Sequence, residues 1–315
     1  MLLKRVYRFA RWRLGVLWAG IFLRVLVIPW LRVRGVLGKP ISMSFVYSGA
    51  VVVDRERIYK IALSRKSTID VEYKKYVNAG QRWPELVAIL PDCQFQEEQF
   101  FSYLAMTRYH PIGMEGAIAQ ASNLYQFMRF CRTPNVQTMA ISDSEELVAG
   151  FEVISNLFDR SVNRTVYRHV ESFLSSGDYH VGIAHGDFHS RNITVDGCGN
   201  PRLIDLDCIR LKGIQELDAL YFVVEMEWSR SGKLWYHTIS DFLRGNIPAS
   251  HRAVLEGFEV KISFPLCVTY LVDRIGQETK NFGFEYTRGM LDPAMDAIET
   301  RSIEESNELE CTDHD

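Results

Sequence analysis

The first 53 residues contain no aspartate and no glutamate; the first acid is Asp54. Nine bases stand there instead (Lys4, Arg5, Arg8, Arg11, Arg13, Arg24, Arg32, Arg34 and Lys39). The rest of the chain carries 27 Lys and Arg against 39 Asp and Glu, a net of −12. An acidic body argues against broad nucleic-acid binding, so no nucleic-acid partner is expected. A basic, apolar start on such a body points to contact with an anionic surface. None of the six cysteines (Cys93, Cys131, Cys198, Cys208, Cys267 and Cys311) belongs to a CxxC pair, so their spacing offers no zinc site. Scattered thiols in a chain of 315 residues read as reduced and cytosolic. No low-complexity tract or internal repeat is present.

What is there suits a globular protein of about two domain-sized units. Hydrophobic residues make up 47% and charged residues 24%, enough apolar material for a real core. Residues 14–31 are apolar but for Arg24, with bases on both sides. A membrane-spanning helix needs about 20 apolar residues. Arg24 near the middle would cost roughly 2.5–3.5 kcal/mol on insertion scales, and Pro29 weakens the span further. A cleaved leader lacks a small-x-small site after the apolar run. A helix lying in a membrane interface fits the composition, with Trp12, Trp18 and Trp30 at headgroup level and arginines on phosphates. A helix packed on the protein's own body is the fourth reading. The segment 1–40 is therefore set apart as a basic apolar helix with possible membrane association.

Residues 45–53 and 58–63, rich in β-branched and aromatic side chains, read as two strands of a hairpin around the polar turn 54–57. A helix is expected from Thr68 to Ala79, stopping at Gly80. Residues 100–109 form a further strand candidate. Helices are expected over 115–131, 144–176, 214–230 and much of 235–300, and short strands and loops over 181–211. The last dozen residues are polar and acidic, and a disordered tail is expected at 301–315. Strands plus one helix, followed mostly by helices, describe an α+β chain with a small β-rich lobe at 41–110 and a larger helical lobe at 111–300.

The segment that carries chemistry runs from His185 to Asp207. His185-Gly186-Asp187-Phe188-His189-Ser190-Arg191-Asn192 leads into the short strand Ile193-Thr194-Val195. A turn follows, Asp196-Gly197-Cys198-Gly199-Asn200, rich in residues that tolerate positive φ. The returning strand Arg202-Leu203-Ile204 ends at Asp205-Leu206-Asp207. Such a hairpin is expected to bring Asp187 and Asn192, before its first strand, near Asp205, after its second. Three oxygen donors at one end suit a hard cation such as Mg²⁺.

H-G-D-x-x-x-x-N followed by I-D-x-D resembles the catalytic segment of the aminoglycoside phosphotransferase and choline kinase superfamily, which has a protein-kinase-like bilobal fold. The resemblance implies that Asp187 is the base accepting the substrate hydroxyl proton, with Asn192 on the metal. It implies that Asp205 bridges Mg²⁺ to the nucleotide phosphates, that Asp207 adds to the metal site, and that His185 orients the loop. Lys60, in Arg57-Ile58-Tyr59-Lys60-Ile61-Ala62, resembles the strand lysine that holds the α- and β-phosphates. Its glutamate partner would be Glu72 on the next helix, with Glu97 and Glu98 as competitors. Asp218, in Glu216-Leu217-Asp218, resembles the acid that braces the catalytic loop. His189 and Arg191 lie in the loop and are candidates to touch substrate. The resemblance spans about residues 47–221.

The sequence departs from the wider kinase pattern in two places. There is no G-x-G-x-x-G over the phosphates, only Ser48-Gly49, and no A-P-E segment or activation loop. The second absence favours a small-molecule or glycan acceptor over a protein. The expectation is an ATP- and Mg²⁺-dependent kinase acting on a hydroxyl of a sugar, amino alcohol or membrane-proximal glycan. It would work in the cytoplasm, and the basic start suggests the cytoplasmic face of a membrane. The alternatives are an atypical protein kinase, and a non-catalytic, membrane-associated nucleotide-binding scaffold.

Overall fold

The computed structural model describes residues 17–18, 20–46, 49–63, 68–133, 138–282 and 291–301. The basic residues before Leu17, Trp12, Ser48 and the expected tail beyond Arg301 lie outside that set. Helical backbone near the N-terminus passes through a π-helical turn, Leu23–Val27, into α1 (Ile28–Val33). Then follow β1 (Ser42–Val46), β2 (Gly49–Val53), β3 (Arg57–Ala62), α2 (Thr68–Arg82), β4 (Cys93–Glu97), β5 (Ser102–Thr107) and β6 (His110–Pro111). Next come α3 (Met114–Phe130), α4 (Glu145–Leu157), α5 (Arg160–Ser176), β7 (Val181–Ala184), β8 (Ile193–Val195), β9 (Pro201–Leu203) and β10 (Arg210–Ile214). The chain continues through α6 (Gln215–Ser231), α7 (Trp235–Leu243), α8 (Ala249–Gly257) and α9 (Phe264–Phe282), with a further helical run at 292–301. The result is α+β.

These elements form two compact units: residues up to 111 together with 194–207, and residues 112–193 together with 208 onward. The first is built on an antiparallel sheet of order β1-β2-β3-β5-β4. Strand side chains alternate between faces. Ala50, Val52, Tyr59, Ile61, Phe101, Tyr103 and Ala105 therefore share one face, and they pack against Leu23, Val27, Ile28 and Leu31 of the N-terminal helix. Its buried face thus packs on the protein's own body. Among the described residues no helix is long and apolar enough to cross a membrane.

The opposite face of the sheet carries α2. Tyr73 stacks on Phe95 with ring centroids 5.6 Å apart, and the Tyr76 hydroxyl meets the Met106 sulfur at 3.8 Å. The helix runs through Gly80 to Arg82 and stops before Trp83-Pro84, because proline cannot continue it. β4 had no counterpart in the sequence reading. It is an edge strand with two glutamines and a glutamate among its five residues, and its apolar alternation is too short to register. β6, β8 and β9 form a second small sheet, and the Leu203 amide of β9 donates to the Ile89 carbonyl at 2.7 Å.

The second unit is mostly helical and holds the two-stranded sheet of β7 and β10. The expected helix over 144–176 is two helices. Asp159 breaks it by capping α5, its carboxylate accepting the Ser161 and Val162 amides. Close approach of α9 to α4 requires Gly276, where a Cβ would lie 1.9 Å from the Glu146 carbonyl oxygen. α9 is also pinned by a buried pair: Arg210 of β10 meets Asp273 through two bonds, at 2.6 and 3.0 Å. Asp273 is 1% exposed. Asp273→Ala would leave Arg210 with Glu146 alone, at 3.5 Å, and is expected to cost up to about 3–5 kcal/mol of stability in urea unfolding. An unchanged midpoint would show that the pair does not hold α9.

Candidate active site

In the first unit, the pleat that turns Tyr59 and Ile61 toward the N-terminal helix turns Lys60 toward α2. The Lys60 Nζ donates to Glu72 Oε1 at 2.8 Å and to Asp205 Oδ1. Neither Glu97 nor Glu98 is the lysine's partner. Burial alone would lower the lysine pKa, but the Asp205 and Glu72 carboxylates together outweigh it, so the ammonium stays charged well above the ordinary lysine range. Burial pushes the Glu72 carboxyl up, against the pull of Lys60. Asp205 has φ of 64°, in the left-handed region that few residues other than glycine adopt. Strain of this kind persists only where the surroundings fix it, and it clusters at functional sites. Two residues on, the Asp207 carbonyl accepts from Lys75 Nζ. One helix thus grips both Lys60 and the segment 205–207.

The turn between β8 and β9 is closed by one side chain. Asp196 accepts from the Cys198 and Asn200 amides at 2.9 Å each, from the Asn200 side chain at 3.0 Å and from Arg202 at 2.8 Å. The Asn200 and Arg202 donors hold its carboxyl far below the usual range.

In the second unit, β7 leads directly into His185, Gly186 and Asp187. Gly186 has φ of 76°, and a Cβ there would come within 2.3 Å of the Cys208 carbonyl oxygen, so only glycine fits. Its amide and that of His185 donate to the two oxygens of Asp218, at 2.8 and 2.6 Å. Burial pushes the Asp218 carboxyl up to about 7 despite these two donors. The Gly186 carbonyl accepts from Gln277 Nε2 at 2.9 Å. Phe188, fully buried, packs among Tyr125, Phe222 and Phe258. Both neighbours of Asp187 are therefore anchored.

Asp187 itself takes three polar contacts. Asn192 Nδ2 donates to its backbone carbonyl at 2.9 Å and reaches its carboxylate at 3.4 Å, and His189 Nε2 is 3.3 Å from the same carboxylate. Burial alone would raise the Asp187 pKa. The His189 hydrogen bond and the charges of His189, His185 and Arg274 outweigh it and hold the carboxyl below its ordinary value of 3.8. The group is an ionised base at neutral pH.

Arg191, expected from its loop position as a candidate to touch substrate, has neighbours that carry little signal in the sequence. Arg191 lies over the Trp228 ring at 4.7 Å, with Glu225 at 3.4 Å. Arg274 pairs with Glu278 at 2.8 Å and with Glu225 at 3.8 Å. Gln277, Arg274 and Glu278 all come from α9. The charged pair Asp273-Arg274, between the apolar run Tyr270-Leu271-Val272 and Ile275, is the one visible clue, since charges in such a setting are buried only with partners.

Of the side chains expected to meet a cation, Asn192 lies in the second unit and Asp205 and Asp207 lie in the first. Among the described residues no group of three His, Cys, Asp or Glu side chains forms a closed cage. Mg²⁺ does not need one: it binds through one or two carboxylates and completes its shell with phosphate oxygens and water. With the Asn192 nitrogen bonded to Asp187, the amide oxygen is the end suited to a metal. Each of these side chains offers oxygen, the donor type that Mg²⁺ takes.

No protein-family model matches the sequence, and no curated protein matches it. Solved structures do. Choline kinase LicA from Streptococcus pneumoniae is 10% identical with a TM-score of 0.53, over 86% of this chain and 96% of that one. The ADP-bound aminoglycoside phosphotransferase APH(2'')-Ib is 11% identical with a TM-score of 0.55, over 87% and 99%. The aminoglycoside phosphotransferase APH(3'')-Id from Streptomyces rimosus is 12% identical with a TM-score of 0.51, over 79% and 97%. By its architecture the chain belongs with the kinase-like fold that these phosphotransferases share.

Proposed function

We propose that the protein is an ATP- and Mg²⁺-dependent phosphotransferase that moves the γ-phosphate to a hydroxyl of a small molecule. The observation that carries this reading is the Glu72–Lys60–Asp205 triad, in which a strand lysine is held charged by a helix glutamate and by a backbone-strained aspartate. An anchored, ionised Asp187 in the H-G-D-x-x-x-x-N loop adds the base. The fold shared with a choline kinase and an ADP-bound aminoglycoside phosphotransferase supports the same class.

Lys60 would neutralise the α- and β-phosphates while Glu72 keeps its ammonium in place. Asn192, Asp205 and Asp207 would hold Mg²⁺, which when bound supplies positive charge at the phosphate oxygens. Asp187 orients the acceptor hydroxyl. As the hydroxyl oxygen bonds to the γ-phosphorus, the β–γ bridging P–O bond breaks, ADP leaves with that electron pair, and the proton passes to the Asp187 carboxylate. His185 and Asp218 keep the loop in register from behind. Binding charge stabilisation at positions fixed beforehand is the larger part of such catalysis. The basic, apolar start directs the acceptor class toward a membrane-proximal sugar or glycan, with an anionic membrane as partner of residues 1–40.

The test is transfer from labelled ATP with Mg²⁺ to a panel of sugars, amino alcohols and membrane-glycan extracts. A labelled product that needs Mg²⁺ is the expected result. Absence of any Mg-ATP binding by calorimetry would overturn the reading.

A further inference from the structure

The N-terminal helix is apolar on two sides, and the sheet takes only one. Leu23, Val27, Ile28 and Leu31 are buried. On the other side Trp18 is 69% exposed, Val25 64% and Leu26 55%, with Ile21 and Val33 exposed as well. The π-helical turn at Leu23–Val27 shifts the phase of the helix, so that the apolar stretch presents both faces. The patch extends beyond the helix. Phe100, 65% exposed on the turn between β4 and β5, joins Phe22, Leu26 and Trp30 in walling an apolar groove of about 530 Å³. The polar residues on that groove are Arg34, Glu98 and Gln99. An exposed apolar surface assembled from two sequence-distant elements marks a docking site.

The charge around it selects the occupant. Arg24 and Arg32 are exposed on the same helix. Arg24 lies over the Phe45 ring at 4.7 Å and Arg34 over Trp30 at 4.8 Å. No acid occurs before Asp54. A protein partner would have to be both apolar and strongly acidic, whereas an anionic bilayer offers acyl chains and phosphates in the same plane. Among the described residues no helix is long and apolar enough to cross a membrane, and a helix in the interface plane needs no such length.

We propose that this face docks on an anionic lipid bilayer. The helix lies in the interface plane, Trp18, Ile21, Val25, Leu26 and Phe100 enter the headgroup–acyl boundary, and Arg24 and Arg32 meet lipid phosphates. The proposal rests on the membrane part of the functional reading and is independent of phosphate transfer.

The experiment is flotation of the full chain with phosphatidylcholine vesicles and with vesicles that also contain phosphatidylserine, at low and high salt. The wild type should bind the anionic vesicles, and binding should weaken as salt screens the arginines. The double variant Trp18→Glu with Leu26→Glu alters only exposed side chains and should keep its thermal midpoint. It should bind at least about tenfold more weakly. Asp187→Asn should bind vesicles like the wild type, which separates failure of docking from failure of catalysis. Failure of the wild type to float with either vesicle, or equal flotation of the double variant, would overturn the proposal. So would a wild-type dimer in sedimentation that the double variant dissolves, since it would give the face to a second copy.

Discussion

Asp187→Asn should lower the rate of phosphate transfer by about 10²–10⁴-fold while leaving Mg-ATP affinity and the thermal midpoint close to wild type. The amide matches the carboxylate in shape but cannot take the hydroxyl proton, and positioned acid–base groups contribute about that factor. The loop should survive the change because its anchors avoid the Asp187 side chain. Asn192 bonds the Asp187 backbone carbonyl, Gln277 bonds the Gly186 carbonyl, and Asp218 bonds the two preceding amides. Retention of more than about a tenth of the wild-type rate would remove Asp187 from the role of base.

The same residue fixes a pH expectation. Its carboxyl is held below 3.8, so it is ionised across the whole range above that value. A depressed carboxylate contributes stability above its unfolded pKa and loses it as pH falls through the folded one. The acid limb of kcat/KM due to Asp187 should therefore lie below the ordinary carboxylate range. A limb near neutrality would belong to another group.

Much of this site was legible because its parts are local. The hairpin from His185 to Asp207 is set by turn residues inside it, and Asp196 closes the turn through partners at most six positions away. Lys60 and Glu72 sit on a strand and the next helix, twelve positions apart, so alternation and helical spacing are enough to bring them together. Other parts depend on packing across long stretches of chain. Gln277 reaches the Gly186 carbonyl from 91 residues away, and nothing near either residue announces it. The N-terminal helix shows a different limit. Its residues are apolar nearly all round, so sequence could not say which face meets the sheet and which is left exposed. β4 was missed for the reverse reason: an edge strand can be polar, and its identity comes from its pairing with β5.

Lys60→Met should damage both function and stability, and a second substitution should separate the two. Transfer is expected to fall by about 10²–10³-fold, the scale of removing one fixed charge-stabilising donor. Stability should fall by about 2–3 kcal/mol, because Glu72 is 4% exposed and would be left buried without its cation. Asp205 adds little to that loss, since its side chain is 42% exposed and solvent screens it. Burial already raises the Glu72 pKa, and loss of Lys60 removes the main opposing charge. A raised carboxyl is penalised when ionised, so the variant should be less stable at about pH 8 than at about pH 5, where the stranded group takes up a proton. Adding Glu72→Met should restore the unfolding midpoint, because two apolar side chains of suitable length replace a buried pair at little cost. It should restore none of the activity, since the phosphates would still lack their lysine. Recovery of both together would mean that Lys60 acts only by holding the fold. Recovery of stability alone would assign the lysine to the phosphates and the glutamate to the lysine.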